Sequence, residues 1–373
     1  MSAAFQFTFS GPTRIVFGEG VIEEAGKHIA FPGPVLVVTG KNSAARAGHL
    51  DRLMAALRGK KVAVFSGISP NPRVSEVDAA AEAGRRAGAG AVLGIGGGSV
   101  LDASKAIAAA MAGADVSAHL REDRPAPDNT LPVICIPTTA GTGSETSQAA
   151  ILSDEARGVK QGLRGPALVP RVAIVDPSLL ATLPKPVAAE TGFDVLTHAI
   201  ETWVSRRASL LTAVYSRHAI STVFRHLSAF VFDRGHVESR QEISMASMMM
   251  GWNLANSTTA LPHRLQYPIG ALTDTSHPAG LAALYPAWSR RAAVAAPEPF
   301  RFIAGLYGSD DPQEGRARLL ELMENIGVVR KLRDFGLTKE NCQGLVGAVS
   351  GNLTTDPCDT SPSALLAIYQ ESV

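Results

Sequence analysis

Cysteine is scarce in this sequence. The three present, Cys135, Cys342 and Cys358, are an odd number without metal-motif spacing. They offer no disulfide framework, so a reducing cytoplasm is the expected compartment. Charge of one sign is lacking too. The formal net charge is +1, which leaves no electrostatic footprint for nucleic acid or an anionic membrane. Long hydrophobic runs are absent: stretches such as AVLGI (91–95) fall far short of a bilayer span. The N-terminal stretch has no basic start followed by a long apolar run, so a signal peptide is not expected. Internal repeats and low-complexity segments are missing as well. What is there is a chain of 373 residues, 46% hydrophobic and 18% charged. That composition fits an ordinary globular protein, long enough for two domains and a large buried core.

Short β-rich runs alternate with helical patterns through the first half. PVLVVTG (34–40), KVAVFSG (61–67), the run at 91–96 and LPVICIPTT (131–139) read as buried strands, with amphipathic segments between them. That alternation predicts an α/β N-terminal domain with a doubly wound, Rossmann-like parallel sheet. After VAIVDPSLLATLP (172–184) the strand signal stops, and Pro184 and Pro186 punctuate the change. The expected division is an α/β domain over 1–183 and an all-helical domain over 184–373.

Two glycine turns stand at strand ends. GIGGGSVLDASKA (94–106) follows an apolar strand and opens a helix, where bare backbone and free N–H groups suit a phosphate. IPTTAGTGSETS (136–147) is a second turn of this kind. No GxGxxG follows the first strand, so the usual dinucleotide fingerprint is missing; two tight connections without ligand would read the same. In the second half, Asp194 and His198 lie four apart in a helical segment and so share a face. His263 and His277 add two imidazoles. One carboxylate and three imidazoles suit Zn²⁺ or Fe²⁺, although either pair alone is as ordinary as a surface or capping pair.

Taken together, IVFGEG, SPNPRVSEVD, GIGGGSVLDASKA, IPTTAGTGSETS, VDPSLLATLP, DVLTHAIE and the segment from Met250 through His277 resemble the iron-containing (group III) alcohol dehydrogenase family, nearly end to end. The resemblance implies an N-terminal nucleotide-binding domain, a helical C-terminal domain, and metal and substrate in the cleft between. It carries the metal ligands onto Asp194, His198, His263 and His277. The pyrophosphate contacts fall on Gly97, Gly98 and Ser99, with Asp102 nearby, and Thr138, Thr139 and Ser147 match positions on the nicotinamide side. The implied reaction interconverts a small aldehyde and a primary alcohol, with the divalent cation as Lewis acid and the nicotinamide as hydride carrier.

Several positions depart from the family pattern. The histidine usual four residues after the third ligand is Tyr267, a weaker acid with an ordinary pKa of about 10 that can still relay a proton or merely pack the pocket wall. The usual glycine after that ligand is Arg264, and Ser257, Thr258 and Thr259 replace small apolar residues. A guanidinium beside hydroxyls is an oxoanion receptor, so the expected substrate carries a phosphonate or carboxylate. Phosphonoacetaldehyde, reduced to 2-hydroxyethylphosphonate, fits. Leu254 and Asn256 are expected at the substrate pocket. Where NAD-preferring relatives often carry an acid after the first nucleotide strand, this chain has Gly40, Lys41, Asn42 and Ser43. That leans towards NADP(H) over NAD(H), with Lys41 or Ser43 at the 2′-phosphate. A homodimer is expected as the commonest assembly. Two other readings stand beside this one: a maleylacetate reductase-like enzyme, against which the intact Asp194 speaks, and a catalytically silent nucleotide-binding relative.

Overall fold

The computed structural model describes residues 6–233 and 235–373. The chain forms two compact units, and it changes from one to the other between Leu183 and Pro184. Two segments depart from a single cut. Residues 6–10 group with the helical unit, and residues 235–244 group with the α/β unit.

The α/β unit is built on β1 (Arg14–Phe17), β2 (Val35–Gly40), β3 (Val62–Ile68), β4 (Ala91–Gly96), β5 (Val133–Pro137) and β8 (Val172–Val175), all parallel, in the order β1-β8-β5-β4-β2-β3. Alternate residues of one strand feed opposite faces: Leu36 and Val38 join one apolar cluster, Val35 and Val37 the other. A sheet buried on both faces explains why these strands read as continuous apolar runs. Each fully buried Val or Ile contributes roughly 1.5–3 kcal/mol. Helices α1 (Val74–Arg86) and α2 (Gly98–Met111) cover the first of these clusters. From β2 the chain proceeds outward to β3, and from β4 it proceeds the other way to β5. Direction therefore reverses between β2 and β4, and the carboxyl ends there are where such sheets bind ligands. An antiparallel hairpin, β6 (Ala149–Asp154) with β7 (Val159–Arg164), adds strands absent from the sequence reading.

The helical unit contains α3 (Lys185–Val204), α4 (Leu210–Phe232), most of α5 (Val237–Asn256), α6 (Leu261–Thr273) and α7 (His277–Ala295). Helix α3 is buried on almost every side. A Cβ at Gly192 would lie 2.2 Å from Leu227 Cδ1, so this glycine lets α3 and α4 touch backbone to side chain. Among the described residues no helix is long and apolar enough to cross a membrane.

Candidate functional site

Helix α3 brings Asp194 and His198 onto one face, α6 carries His263 in its first turn, and α7 begins at His277. All four converge. Asp194 Oδ1 stands 3.9 Å from His198 Nε2, 3.9 Å from His263 Nε2 and 4.0 Å from His277 Nε2. His198 Nε2 and His263 Nε2 are 2.9 Å apart. Tetrahedral nitrogen and oxygen ligands at about 2.1 Å from an ion stand about 3.4 Å from one another, in the middle of this range. The donor chemistry fits a divalent cation as well. Asp194 is fully buried, and its Oδ2 has no hydrogen-bond partner, an arrangement that is costly unless a cation faces it. Burial pushes the His263 imidazole down to about 4, with Asp194 opposing and the Arg264 charge adding. At neutral pH His263 is therefore an uncharged donor, as a ligand must be.

Two residues that the sequence reading passed over hold these ligands. Glu201 accepts from His263 Nδ1 at 2.8 Å through Oε1 and from the Ala260 backbone N–H at 2.9 Å through Oε2. Burial pushes the Glu201 carboxyl well above its usual range, opposed first by His198. A cation among the imidazoles favours the carboxylate form, which keeps the proton on Nδ1 and turns the Nε2 lone pair inward. Gln266 Oε1 takes the same role towards His277 Nδ1 at 2.7 Å. A partial signal was available: Glu201 follows His198 by three and Gln266 follows His263 by three, each on the helical face of a ligand, although the imidazole each one orients is carried by the next ligand-bearing helix.

The residues expected at the substrate separate into two groups. Arg264 and Tyr267 are both buried on α6, with the guanidinium 5.9 Å from the ring centroid. The hydrogen bond from Arg264 Nη2 to Thr258 Oγ1 is long, 3.4 Å, and its Nε is buried without a partner. Among the described residues no carboxylate forms an ion pair with Arg264. Gly351 lies against it, where an added Cβ would sit 3.5 Å from Arg264 Cδ. Thr258 has φ 88°, a strained backbone for a β-branched residue and one that holds its hydroxyl towards Arg264. Leu254 is half-buried on α5.

Two further residues expected at the substrate are engaged in hydrogen bonds within the helical unit. The Asn256 amide makes three hydrogen bonds: Nδ2 donates to Ser10 O and Trp252 O, and Oδ1 accepts from the Ser10 N–H. It clamps the N-terminal segment. Ser257 is fully buried and donates to Thr202 O at 2.8 Å, so its hydroxyl ties α3 to the α5–α6 loop.

In the α/β unit the expected nucleotide residues line up along neighbouring strand ends. Gly40 ends β2 and Lys41 and Ser43 come after it; Gly97, Gly98 and Ser99 follow β4; Thr138 and Thr139 follow β5. Helix α2 starts without a side-chain cap, so its first N–H groups are available to an anion. The two glycine turns touch. A Cβ at Gly98 would lie 2.5 Å from Thr142 Cγ2, and one at Gly97 3.3 Å from Thr139. Asp102 and Ser147 support this surface from within. Asp102 accepts from Ser144 Oγ and from the Ile151 N–H, and burial raises its pKa against the pull of Lys105. Lys105, fully buried and unremarked in the sequence, donates to Ser144 Oγ, Ser147 Oγ and Ala149 O. Lys41 and Ser43 are exposed.

Comparison with known proteins agrees with this geometry. A family model described as iron-containing alcohol dehydrogenase matches residues 12–177, and the C-terminal model of the Fe-containing alcohol dehydrogenase family matches 188–373. A long-chain primary alcohol dehydrogenase of Thermoanaerobacter ethanolicus is 32% identical, covering 91% of this chain and 89% of the relative. The solved 1,3-propanediol oxidoreductase superposes with a TM-score of 0.91 at 28% identity, over 99% of this chain and 100% of its own. Sulfoacetaldehyde reductase from Bifidobacterium kashiwanohense, in complex with NAD+, gives 0.90 at 29% identity over 99% of both chains. With both halves matched, the protein belongs to the iron-containing alcohol dehydrogenase family and is a nicotinamide-dependent oxidoreductase acting on CH–OH groups.

Proposed function

We propose that this enzyme reduces a small anionic aldehyde to its primary alcohol with NADPH, and that phosphonoacetaldehyde, giving 2-hydroxyethylphosphonate, is a substrate of the right kind. The observation that carries the reading is Arg264: a buried guanidinium with one long hydrogen bond and an unpartnered Nε. A buried charge without a counter-ion is costly, and an oxoanion on the substrate supplies one by charge-assisted hydrogen bonds. The likeness to sulfoacetaldehyde reductase points the same way, since that name denotes an aldehyde bearing a sulfonate.

A bound NADPH would supply the hydride to the carbonyl carbon, and the carbonyl oxygen would take up one proton. Asp194, His198, His263 and His277 would hold the divalent ion, Fe²⁺ or Zn²⁺, which would supply a Lewis acid for that oxygen. Tyr267 Oη is the proposed proton donor, one helical turn from His263. Arg264 and Thr258 orient the anionic end, and Leu254 borders the pocket. Gly97, Gly98 and Ser99 take the pyrophosphate, Thr138 and Thr139 the nicotinamide side, and Lys41 with Ser43 the 2′-phosphate that favours NADP(H). The proposed assembly is a homodimer.

The test is steady-state kinetics of the wild type and Arg264→Ala with phosphonoacetaldehyde and with propanal. Hydrogen bonds to charged groups contribute about 1.5–3 kcal/mol, so the anionic-to-neutral ratio of kcat/KM should fall roughly 10- to 150-fold. An unchanged ratio removes the anionic-substrate reading.

A further inference from the structure

Segment 355–358 lies far from every ligand in sequence and carries none of them, yet it is bonded to α6, to α7 and to Arg206, two residues past the end of α3. Beyond the end of α3, Arg206 donates three times to its backbone: N–H to Thr355 O at 2.8 Å, Nε to Asp356 O at 3.0 Å and Nη2 to Pro357 O at 3.2 Å. Towards α6, Thr355 Oγ1 donates to Thr259 O at 3.4 Å, and Asp356 Oδ2 accepts from the Leu261 N–H at 2.7 Å. Towards α7, the same Oδ2 accepts from Trp288 Nε1 at 3.1 Å. Asp356 Oδ1 closes its own turn on the Cys358 N–H at 2.7 Å. Asp356 is 2% exposed and Trp288 fully buried.

We propose that Asp356 is a positioning residue of the metal centre, a remote carboxylate that fixes the helix of His263 against the helix of His277. Helix α6 has no side-chain cap of its own: its N-cap is Ala260 and its second residue is Pro262. Two buried carboxylates replace that cap, Glu201 on the Ala260 N–H and Asp356 on the Leu261 N–H. A negative group there is favoured by the helix dipole. His263 lies two residues beyond Leu261, so a shift of the helix start moves its Nε2 relative to Asp194. The bond to Trp288 sets α7 on the same atom. An asparagine at 356 cannot keep the pattern, because its one carbonyl oxygen serves Oδ1's partner or Oδ2's two partners but not both sides.

This inference rests on the metal centre, and the experiment separates the two. Co²⁺ is added to metal-stripped wild type, Asp356→Asn, Arg206→Ala and Asp359→Asn. Affinity is read by chelator competition and ligand geometry by the visible absorption of bound Co²⁺. Asp356→Asn should weaken Co²⁺ binding by about tenfold or more and alter the absorption bands, with far-UV circular dichroism intact. Arg206 is exposed, so Arg206→Ala tests the same segment without burying a defect, and should weaken binding less in the same direction. Exposed Asp359 should be replaceable without effect on affinity. Wild-type affinity and spectrum in both Asp356→Asn and Arg206→Ala, with only a lower Tm, overturns the proposal. If Asp356→Asn does not fold, Arg206→Ala decides alone. A wild type that takes up no Co²⁺ overturns the centre and this inference with it.

Discussion

Glu145 sits in the second glycine turn, 2% exposed, and burial raises its pKa to about 7, with a hydrogen bond from its own backbone N–H and then Lys105 opposing. The perturbation is Glu145→Gln, which keeps the shape and removes the titration. In the unfolded chain the carboxyl returns to its model value of 4.5. Between these values the folded state holds the extra proton, so stability falls as pH rises. The stabilising contribution is fully present below pH 4.5 and is lost as pH rises through about 7. A shift of about 2.5 pKa units corresponds to about 3 kcal/mol at pH 8. Urea denaturation of both proteins across pH 4 to 8 gives the difference in unfolding free energy, in which every other titrating group cancels to first order. Relative to wild type, the Gln protein should gain about 3 kcal/mol over that range. A difference that stays flat with pH, or that grows as pH falls, refutes the reasoning.

Two further outcomes are expected. Glu201→Gln places an amide donor against either the His263 Nδ1 proton or the Ala260 N–H, since the carboxylate accepts from both; Zn²⁺ affinity by chelator competition should fall about 10- to 100-fold. Wild-type affinity there would remove Glu201 as the orienting partner of His263. Gly98→Ala drives a Cβ to 2.5 Å from Thr142 Cγ2, and overpacking of this kind costs about 1–3 kcal/mol. The KM for NADPH should rise about tenfold with kcat less affected, and Thr142→Ala in the same chain should restore it; no rescue would mean that the turns do not set each other's position.

How much of this was legible in the sequence depended on how local the cause was. Strands buried on both faces announce themselves as apolar runs, and Asp194 with His198 needs only the helical repeat. The β6–β7 hairpin was not legible, because AAILSD and VKQGLR carry little β-branched signal and their pairing is decided by burial of alternate residues. Asn256 was expected at the substrate from its distance to His263 along the chain, and Ser257 as one of the hydroxyls beside Arg264. Their hydrogen bonds go instead to Ser10, 246 residues away from Asn256, and to Thr202. The sequence does not reveal such partners. Lys105 illustrates the same limit: within an Ala-rich helix it reads as a solvated charge, and only the turn folded back over it explains its burial.

The contact between the two glycine turns bears on how cofactor preference could be altered. On the proposed assignment, pyrophosphate is held by main-chain groups at Gly97 and Gly98, packed against Thr139 and Thr142. Main chain is common to every nicotinamide nucleotide, so this surface grips the cofactor without asking which one it is. Discrimination is left to Lys41, Asn42 and Ser43, three exposed side chains after β2 that support no core. Grip and choice are thus separate parts of the chain, and the second could drift between NADP and NAD by single substitutions while the sheet, the turns and their stability stay as they are.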